Sequence, residues 1–420
     1  MRRLRRERGL SLTDLARRTH YSKGYLSKIE TGTKRATVDV ARLCDQVLGA
    51  EGELLRLVRQ APPRDGEADT TPPRSDGVCP YRGLSAFTPQ DAEWFFGRER
   101  ATAALVERIF ERVGSGPLML AAPSGAGKSS LLSAGLVPAL RRGDLPMPGA
   151  DRWPVVQLTP TAHPLDELLE RTAKALGSDL GLTAEEVRDN PDALLGAVRA
   201  GSDAEPGAPG ERRPPPARPV LIVDQFEELF TLCTDEDERR SFARVLCALA
   251  TSRPAECPHP PAVVVLGVRA DFTGSCLGLP ELAPVFADGL FVLSPMTVAE
   301  LRESISRPAE LAGLTLEPGL VPLLLRDAGL RDDRDTTGTR VSVIGSDETP
   351  SGALPLVSHA LLATWQRRRD SALTVEGYER AGGIQGAVAR TAENVFAQLY
   401  PAEQKTIRRI LSRLVLVMDG

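Results

Sequence analysis

Between Leu118 and Leu132 the chain reads LMLAAPSGAGKSSLL, an apolar run that breaks at Pro123 into small residues and closes on a lysine and two serines. Gly125 and Gly127 have no Cβ, so the backbone through Ser124 and Ala126 can take positive φ and turn its N–H groups around an anion. The helix opened by Lys128, Ser129 and Ser130 adds the partial positive charge of its first turn. At this spacing Lys128 reaches the outer phosphates of a nucleotide and the Ser129 hydroxyl ligates Mg²⁺. Ala122 stands where the usual motif begins with Gly, a substitution such loops tolerate. A second chemical stretch is PVLIVDQFEELF, residues 219–230. Its apolar run predicts a parallel strand buried on both faces, with Asp224 at the carboxyl end, where ligands bind in open α/β sheets. Asp224 would hold Mg²⁺ through water, and Glu227 or Glu228 would orient an attacking water. The pattern leans slightly to Glu227, because Glu228 can equally solvate the helix that follows. Arg269, at the tip of the apolar run AVVVLGVR, can read a γ-phosphate or simply pair with Asp271.

These residues need a sheet to bring them together. Leu118–Ala122, WPVVQL (153–158), Val220–Val223, Ala262–Val268 and Phe291–Leu293 read as its strands, with a helix after Glu99 running through Val113 before the first strand and another over Pro164–Leu176. The expected fold is an α/β phosphate-loop core over residues 80–296, with a parallel sheet of the additional-strand (ASCE-like) kind. Residues 200–219, rich in Pro and Gly, read as a disordered insertion within it. After Pro295 the pattern turns helical, giving a lid over 297–400. Trp94, Phe95 and Phe96 must cover something, either core or the base of a nucleotide.

The 420 residues are 42% hydrophobic and 26% charged, enough for several domains with cores of their own. No apolar stretch approaches a membrane span and no signal-peptide core follows the N-terminus, so a cytoplasmic location without membrane contact is expected. The six cysteines have no paired spacing and read as reduced thiols. Charge is uneven: residues 1–60 carry 14 Lys and Arg against 7 Asp and Glu, and the remainder 38 against 49. A basic head on an acidic body points to a polyanion met by the head alone.

That head reads as a small all-α bundle. Ser11 with Asp14 forms a capping box before a helix whose apolar face is Leu12, Leu15 and Ala16, and Ser22 caps a second helix with Leu26 and Ile29 inward. Two short helices joined by a tight turn suit the major groove. Through GLSLTDLARRT and YSKGYLSKIETG the head resembles the phage-repressor-like (XRE) helix-turn-helix domains. The resemblance implies that Ser22, Lys23, Ser27 and Lys28 approach bases of duplex DNA and that Arg17, Arg18, Lys34 and Arg35 sit on phosphates. Residues 61–79, rich in Pro, Gly, Asp and Thr, read as a disordered linker.

From residue 79 onward, PYRGLSAF with FFGRE, APSGAGKSS, LIVDQFEELF, VRADF, LSPMTVAELR and ALPLVSHALLATW resemble the STAND class, signal-transduction ATPases with numerous domains, and its novel STAND subgroup. By that resemblance Lys128 and Ser129 bind phosphate and Mg²⁺, Asp224 is the metal-side acid, Arg269 is the sensor on the fourth strand, and Pro355 lies against the adenine from the lid. Ala101 departs from the family's GRExE. A winged-helix domain and a sensor usually follow. Residues 401–420 resemble the start of the former, so the sensor is expected on a longer form or a partner chain.

The expected function is an ATP/ADP-dependent switch coupled to DNA binding, a transcriptional regulator with slow hydrolysis and self-association in the ATP state. The alternatives are an ATP-driven machine on DNA, such as an initiator or translocase; a protein that holds nucleotide structurally; and a defence or signalling effector whose helix-turn-helix recruits protein.

Overall fold

The computed structural model describes residues 78–202, 218–252, 259–330 and 352–414, with a subset of positions between Arg2 and Arg56. It divides into two units, Met1–Thr71 and Pro72–Gly420.

In the larger unit five parallel strands form one sheet in the order β2-β3-β4-β1-β5. They are β1 (Leu118–Ala122), β2 (Val155–Leu158), β3 (Val220–Val223), β4 (Val263–Arg269) and β5 (Leu290–Val292). All five fall within a residue or two of the runs read from the sequence. Side chains alternate across the sheet. Leu118, Leu120, Ala122, Val220, Ile222, Val263 and Val265 join the helix Glu99–Arg112 on one face. Met119, Ala121, Leu221, Val223, Val264, Leu266 and Val268 pack on the other against helices Pro164–Leu176 and Glu236–Ala250. Burial on both faces is why these strands are apolar without alternation. β4 lies between β1 and β3, with Val223 opposite Leu266 and Ala122 opposite Arg269. The ends of three strands therefore meet at one edge.

Both ends of the expected 200–219 insertion belong instead to the core: Ser202 closes the helix Pro191–Ser202, and Arg218 is buried with its guanidinium over the Trp153 ring. Cys79, expected at the end of the linker, has its thiol on the Tyr81 carbonyl; residues 61–77 and 203–217 lie outside the described residues.

After β5 the chain leaves the sheet at Ser294 and enters the helix Val298–Leu311, whose start is fixed by a capping box between Thr297 and Glu300. Helices Leu320–Asp327, Ala353–Trp365, Val375–Ala381 and Gly383–Gln398 complete the lid around Leu301, Ile305, Leu324, Leu361 and Tyr378. A short parallel pair, β6 (Thr315–Leu316) with β7 (Ala372–Leu373), lies within this otherwise helical region and was not foreseen in its pattern. The helix Pro401–Leu414 has no buried residue. No helix among the described residues is long and apolar enough to cross a membrane.

In the smaller unit Leu15, Leu26, Ala41, Cys44, Leu48 and Leu54 form the core, with Leu12 and Ile29 packed against it. Ser11 and Asp14 cap reciprocally, as their spacing predicts. A helix Arg2–Glu7 precedes them, and Arg5 grips the Glu30 carboxylate with both fork nitrogens at 2.8 and 2.9 Å. The eight candidate DNA contacts, Arg17, Arg18, Ser22, Lys23, Ser27, Lys28, Lys34 and Arg35, lie outside the described residues, as does Ala16.

Gly97 joins core to lid. Its φ is +81°, and a Cβ there would stand 2.3 Å from the Glu300 carbonyl oxygen. Gly97→Ala is expected to cost at least about 2 kcal/mol, because left-handed strain and a backbone clash add. Thermal unfolding should show a fall of several degrees, against no fall for Gly274→Ala, where nothing lies within 4 Å. Equal midpoints for the two variants would contradict this packing.

Candidate functional site

The loop after β1 has the backbone that its glycines imply. Gly125 and Gly127 have φ of +77° and +86°, and Gly127 is the N-cap of the helical run that begins at Lys128. That run widens to a π-helix over Leu131–Leu136 before returning to α at Val137, a distortion common beside functional sites. Ala122 is fully buried in the sheet, where its methyl fits the packing. A Cβ on Gly125 would lie 2.8 Å from Gly352 Cα and 3.3 Å from Pro355 Cδ. The lid helix therefore starts directly on the loop, with Pro355 against Gly125.

Lys128 is only 7% exposed, and its Nζ donates to Asp224 Oδ1 at 2.7 Å and to the Gly267 carbonyl at 3.3 Å. These partners come from β1, β3 and β4, so the strand order itself makes the contact. Gly267 must lack a side chain, since a Cβ would meet Leu132 Cδ1 at 2.7 Å and Asp224 Oδ1 at 3.1 Å. After Asp224 the backbone turns sharply. Gln225 is left-handed at φ +53°, its N–H donates to Asp224 Oδ1, and the Phe226 N–H donates to the Gly267 carbonyl.

That turn separates the two glutamates. Glu227 is buried, and its Oε2 accepts the Arg269 backbone N–H at 3.1 Å. Glu228 is less buried, and its carboxyl is pushed above the ordinary range by desolvation, then by Glu227 and Asp224, against the opposing pull of Lys128. The Arg269 guanidinium is paired with Asp271 at 2.7 and 3.1 Å and lies over the Phe272 ring. The hydrogen bond from Arg269 is the main cause holding the Asp271 carboxyl below its ordinary range.

A cavity of about 540 Å³ opens at this edge. Ser124, Gly125, Ala126, Gly127, Lys128, Ser129 and Ser130 line one end with Glu227, Glu228 and Arg269, and Pro355 comes from the lid. Asp224 is not among the lining residues, although its carboxylate holds Lys128, which is. Phe87, Trp94, Phe96, Met296 and Leu361 give the cavity an apolar part of its wall. Phe95 serves both possibilities raised by its sequence, because it lines the cavity and also packs on the core.

The donors suit a nucleotide with Mg²⁺. The loop offers backbone N–H groups, Lys128 a buried ammonium, and Ser129 and Asp224 hard oxygens of the kind Mg²⁺ takes. Among the described residues no group of three His, Cys, Asp or Glu could hold a metal.

Two contributors escaped the sequence reading. Residues Tyr81–Phe87 wrap the cavity, with the Phe87 N–H on Ser130 Oγ at 3.1 Å and the Tyr81 hydroxyl on the Ile305 carbonyl at 2.8 Å. Arg98 is 3% exposed and lines the cavity while donating to the Ala126 and Ser294 carbonyls. The signal available for Arg98 was the Gly-Arg-Glu at the start of the helix Glu99–Arg112, which alone says nothing of burial.

Comparison with known proteins agrees with this arrangement. A helix-turn-helix domain family matches residues 1–58, and the family Novel STAND NTPase 1 matches residues 80–420. No curated protein sequence matches the chain. Among solved structures, Cdc6p from Pyrobaculum aerophilum is similar at 13% identity and a TM-score of 0.41, over 68% of this chain and 63% of that one. The Aeropyrum pernix ORC2 protein in its ADPNP-ADP complexes is similar at 16% identity and a TM-score of 0.44, over 68% and 66%. The Drosophila ORC bound to DNA is similar at 15% identity and a TM-score of 0.41, over 87% and 80%. Likeness at this level says nothing of function. With everything from residue 80 to 420 matched, the chain belongs to the Novel STAND NTPase 1 family and carries an N-terminal helix-turn-helix domain.

Proposed function

We propose that this protein is an ATP/ADP-dependent switch that controls DNA binding by its head, and that it regulates transcription. The observation that carries the nucleotide half is the buried Lys128 ammonium, 2.7 Å from Asp224 and beside a loop of left-handed glycines that the lid overlies. An arriving nucleotide supplies phosphate oxygens that compete with Asp224 for Lys128. Asp224 and Ser129 would then be the residues that hold Mg²⁺. The Mg²⁺ when bound neutralises phosphate charge. Arg269 exchanges Asp271 for the γ-phosphate, which would make the strand tip sensitive to ATP against ADP. Leu354 and Pro355 close the loop from the lid, and the apolar part of the wall takes the adenine.

For the attacking water we favour Glu228 over Glu227. Glu227 already spends one oxygen on the Arg269 N–H, whereas Glu228 lines the cavity with a carboxyl whose raised pKa suits a base. Hydrolysis resets the switch, and a slow rate follows from that role. The head meets duplex DNA, and ATP-driven association of two chains supplies the pair of heads that a palindromic site requires. The domains we assign are a head over 1–60, a linker, a core over 80–296, a lid over 297–400 and a further segment from 401. Free thiols at Cys44, Cys79, Cys233, Cys247 and Cys276 suit the reducing cytoplasm.

Lys128→Ala is expected to weaken binding of ATP with Mg²⁺ by roughly a hundredfold or more, because charge-assisted contacts to phosphate are lost. Isothermal titration checks this, with circular dichroism to verify folding, and undiminished affinity would remove the phosphate-loop assignment.

Glu228→Gln is expected to retain ATP while slowing its hydrolysis by roughly 10²-fold or more. A trap made by Glu227→Gln instead would transfer the role. The same variant tests the raised carboxyl. A folded-state pKa above the unfolded one means that ionised Glu228 opposes folding above that pKa, and the cost fades as pH falls through it. Glu228→Gln should therefore be more thermostable than wild type at pH 8, with the gain shrinking to nothing at about pH 4. A gain that is equal at both values would contradict the shift.

A further inference from the structure

Arg98 has no carboxylate partner among its hydrogen bonds. Its Nη2 donates to the Ala126 carbonyl at 2.8 Å and its Nη1 to the Ser294 carbonyl at 2.9 Å. Ala126 is inside the phosphate loop. Ser294 is the point at which the chain leaves β5 for the lid, since the Leu293 N–H still bonds to Ala121 in the sheet and Thr297 already caps the first lid helix. One planar guanidinium thus spans the loop and the lid junction, and its fork geometry allows both bonds at once. Its Nε is buried and finds no acceptor in the protein, although the residue lines the cavity.

The bond to Ala126 matters for its direction. A trans peptide holds its C=O and the following N–H pointing opposite ways. Fixing the Ala126 carbonyl on the Arg98 side therefore fixes the Gly127 N–H on the other side, and Gly127, at φ +86°, is the N-cap of the helix whose first turn meets the anion. Glycine gives this peptide a wide choice of orientations, so an external clamp has something to decide. The rigid neighbour supports the clamp: Arg98 follows Gly97, which is pressed against the Glu300 carbonyl, and its own carbonyl accepts from the Thr102 N–H and hydroxyl.

We propose that Arg98 is a positioning residue that orients the Ala126–Gly127 peptide for phosphate and, through Ser294, ties that orientation to the lid. It rests on the nucleotide reading above and adds the route by which phosphate occupancy is felt at the junction. A shift of the peptide on phosphate binding changes the bond to Arg98, and a guanidinium held at both ends passes the change to Ser294. Lysine cannot do this, because an ammonium on a flexible stem serves one carbonyl well and does not span two.

The test uses the full chain as wild type, Arg98→Lys and Arg98→Met, titrated with ADP and Mg²⁺ and followed by amide hydrogen exchange. Wild type should gain protection with ADP both at 123–130 and at 293–297. Arg98→Met should bind ADP about ten- to a hundredfold more weakly. Arg98→Lys, which keeps the buried charge if the Met variant does not fold, should retain protection of the loop while losing it at 293–297. A purely structural role predicts instead that both segments lose protection in step with affinity, and that result overturns the proposal. So does Arg98→Lys behaviour identical to wild type at both segments. A wild type that binds no ADP overturns the nucleotide reading itself, and this one with it.

Discussion

A buried ammonium must have a partner. Lys128 is almost wholly enclosed, and an unpaired charge there would cost several kcal/mol. In this state the partners are Asp224 and the Gly267 carbonyl, and much of the core is arranged so that they can be. β4 lies between β1 and β3, which sets the lysine and the acid across one strand from each other. Gly267 is bare so that both fit above it. The left-handed Gln225 turns the chain immediately after Asp224 and lets the Phe226 N–H take the same carbonyl that Lys128 uses. Charge-assisted hydrogen bonds of this kind are strong, and under the proposed function phosphate would compete with Asp224 for the ammonium.

The same edge carries one further ion pair and one charge-assisted hydrogen bond to the backbone. Arg269 holds Asp271 at the surface, where such a pair contributes little to stability and is easily exchanged. Glu227 anchors the tip of β4 from below through a backbone N–H. Above them the lid begins on the loop itself, with Gly352 and Pro355 against Gly125. Loop and lid are therefore in direct contact, and the proposed switch would need no long intermediate path between them.

Much of this was legible in the chain. Strands buried on both faces announce themselves as short apolar runs, and Val220–Val223 could be read with Asp224 at its carboxyl end. The glycines of the loop and the capping pair Ser11–Asp14 are local signals, decided within a few residues. What could not be read was decided at a distance. Arg98 is buried because carbonyls 28 and 196 residues away accept its hydrogens, and no neighbouring residue records that. The surroundings of Glu227 and Glu228 depend on the tip of β4, so their order in sequence gave only a slight preference. The β6 and β7 pair joins two-residue strands, too short to leave a period. Tyr81–Phe87 was read as the start of the body, but its place at the cavity was not, because its partners, Ser130 and Ile305, belong to other elements.

The account joins a basic head to an acidic body through nucleotide state, and a single head with a handful of phosphate contacts binds DNA weakly at physiological salt. Pairing two heads by association of the bodies raises effective concentration and strengthens binding by roughly 10² without new contacts. The most direct measurement is the affinity of the full chain for duplex DNA, by fluorescence anisotropy across a salt series, with ADP and with a non-hydrolysable ATP analogue, for wild type and Lys128→Ala. The account predicts at least about a tenfold difference between the two nucleotides in wild type, a salt-dependent affinity throughout, and no nucleotide effect in the variant. Equal affinities with both nucleotides in wild type would contradict it.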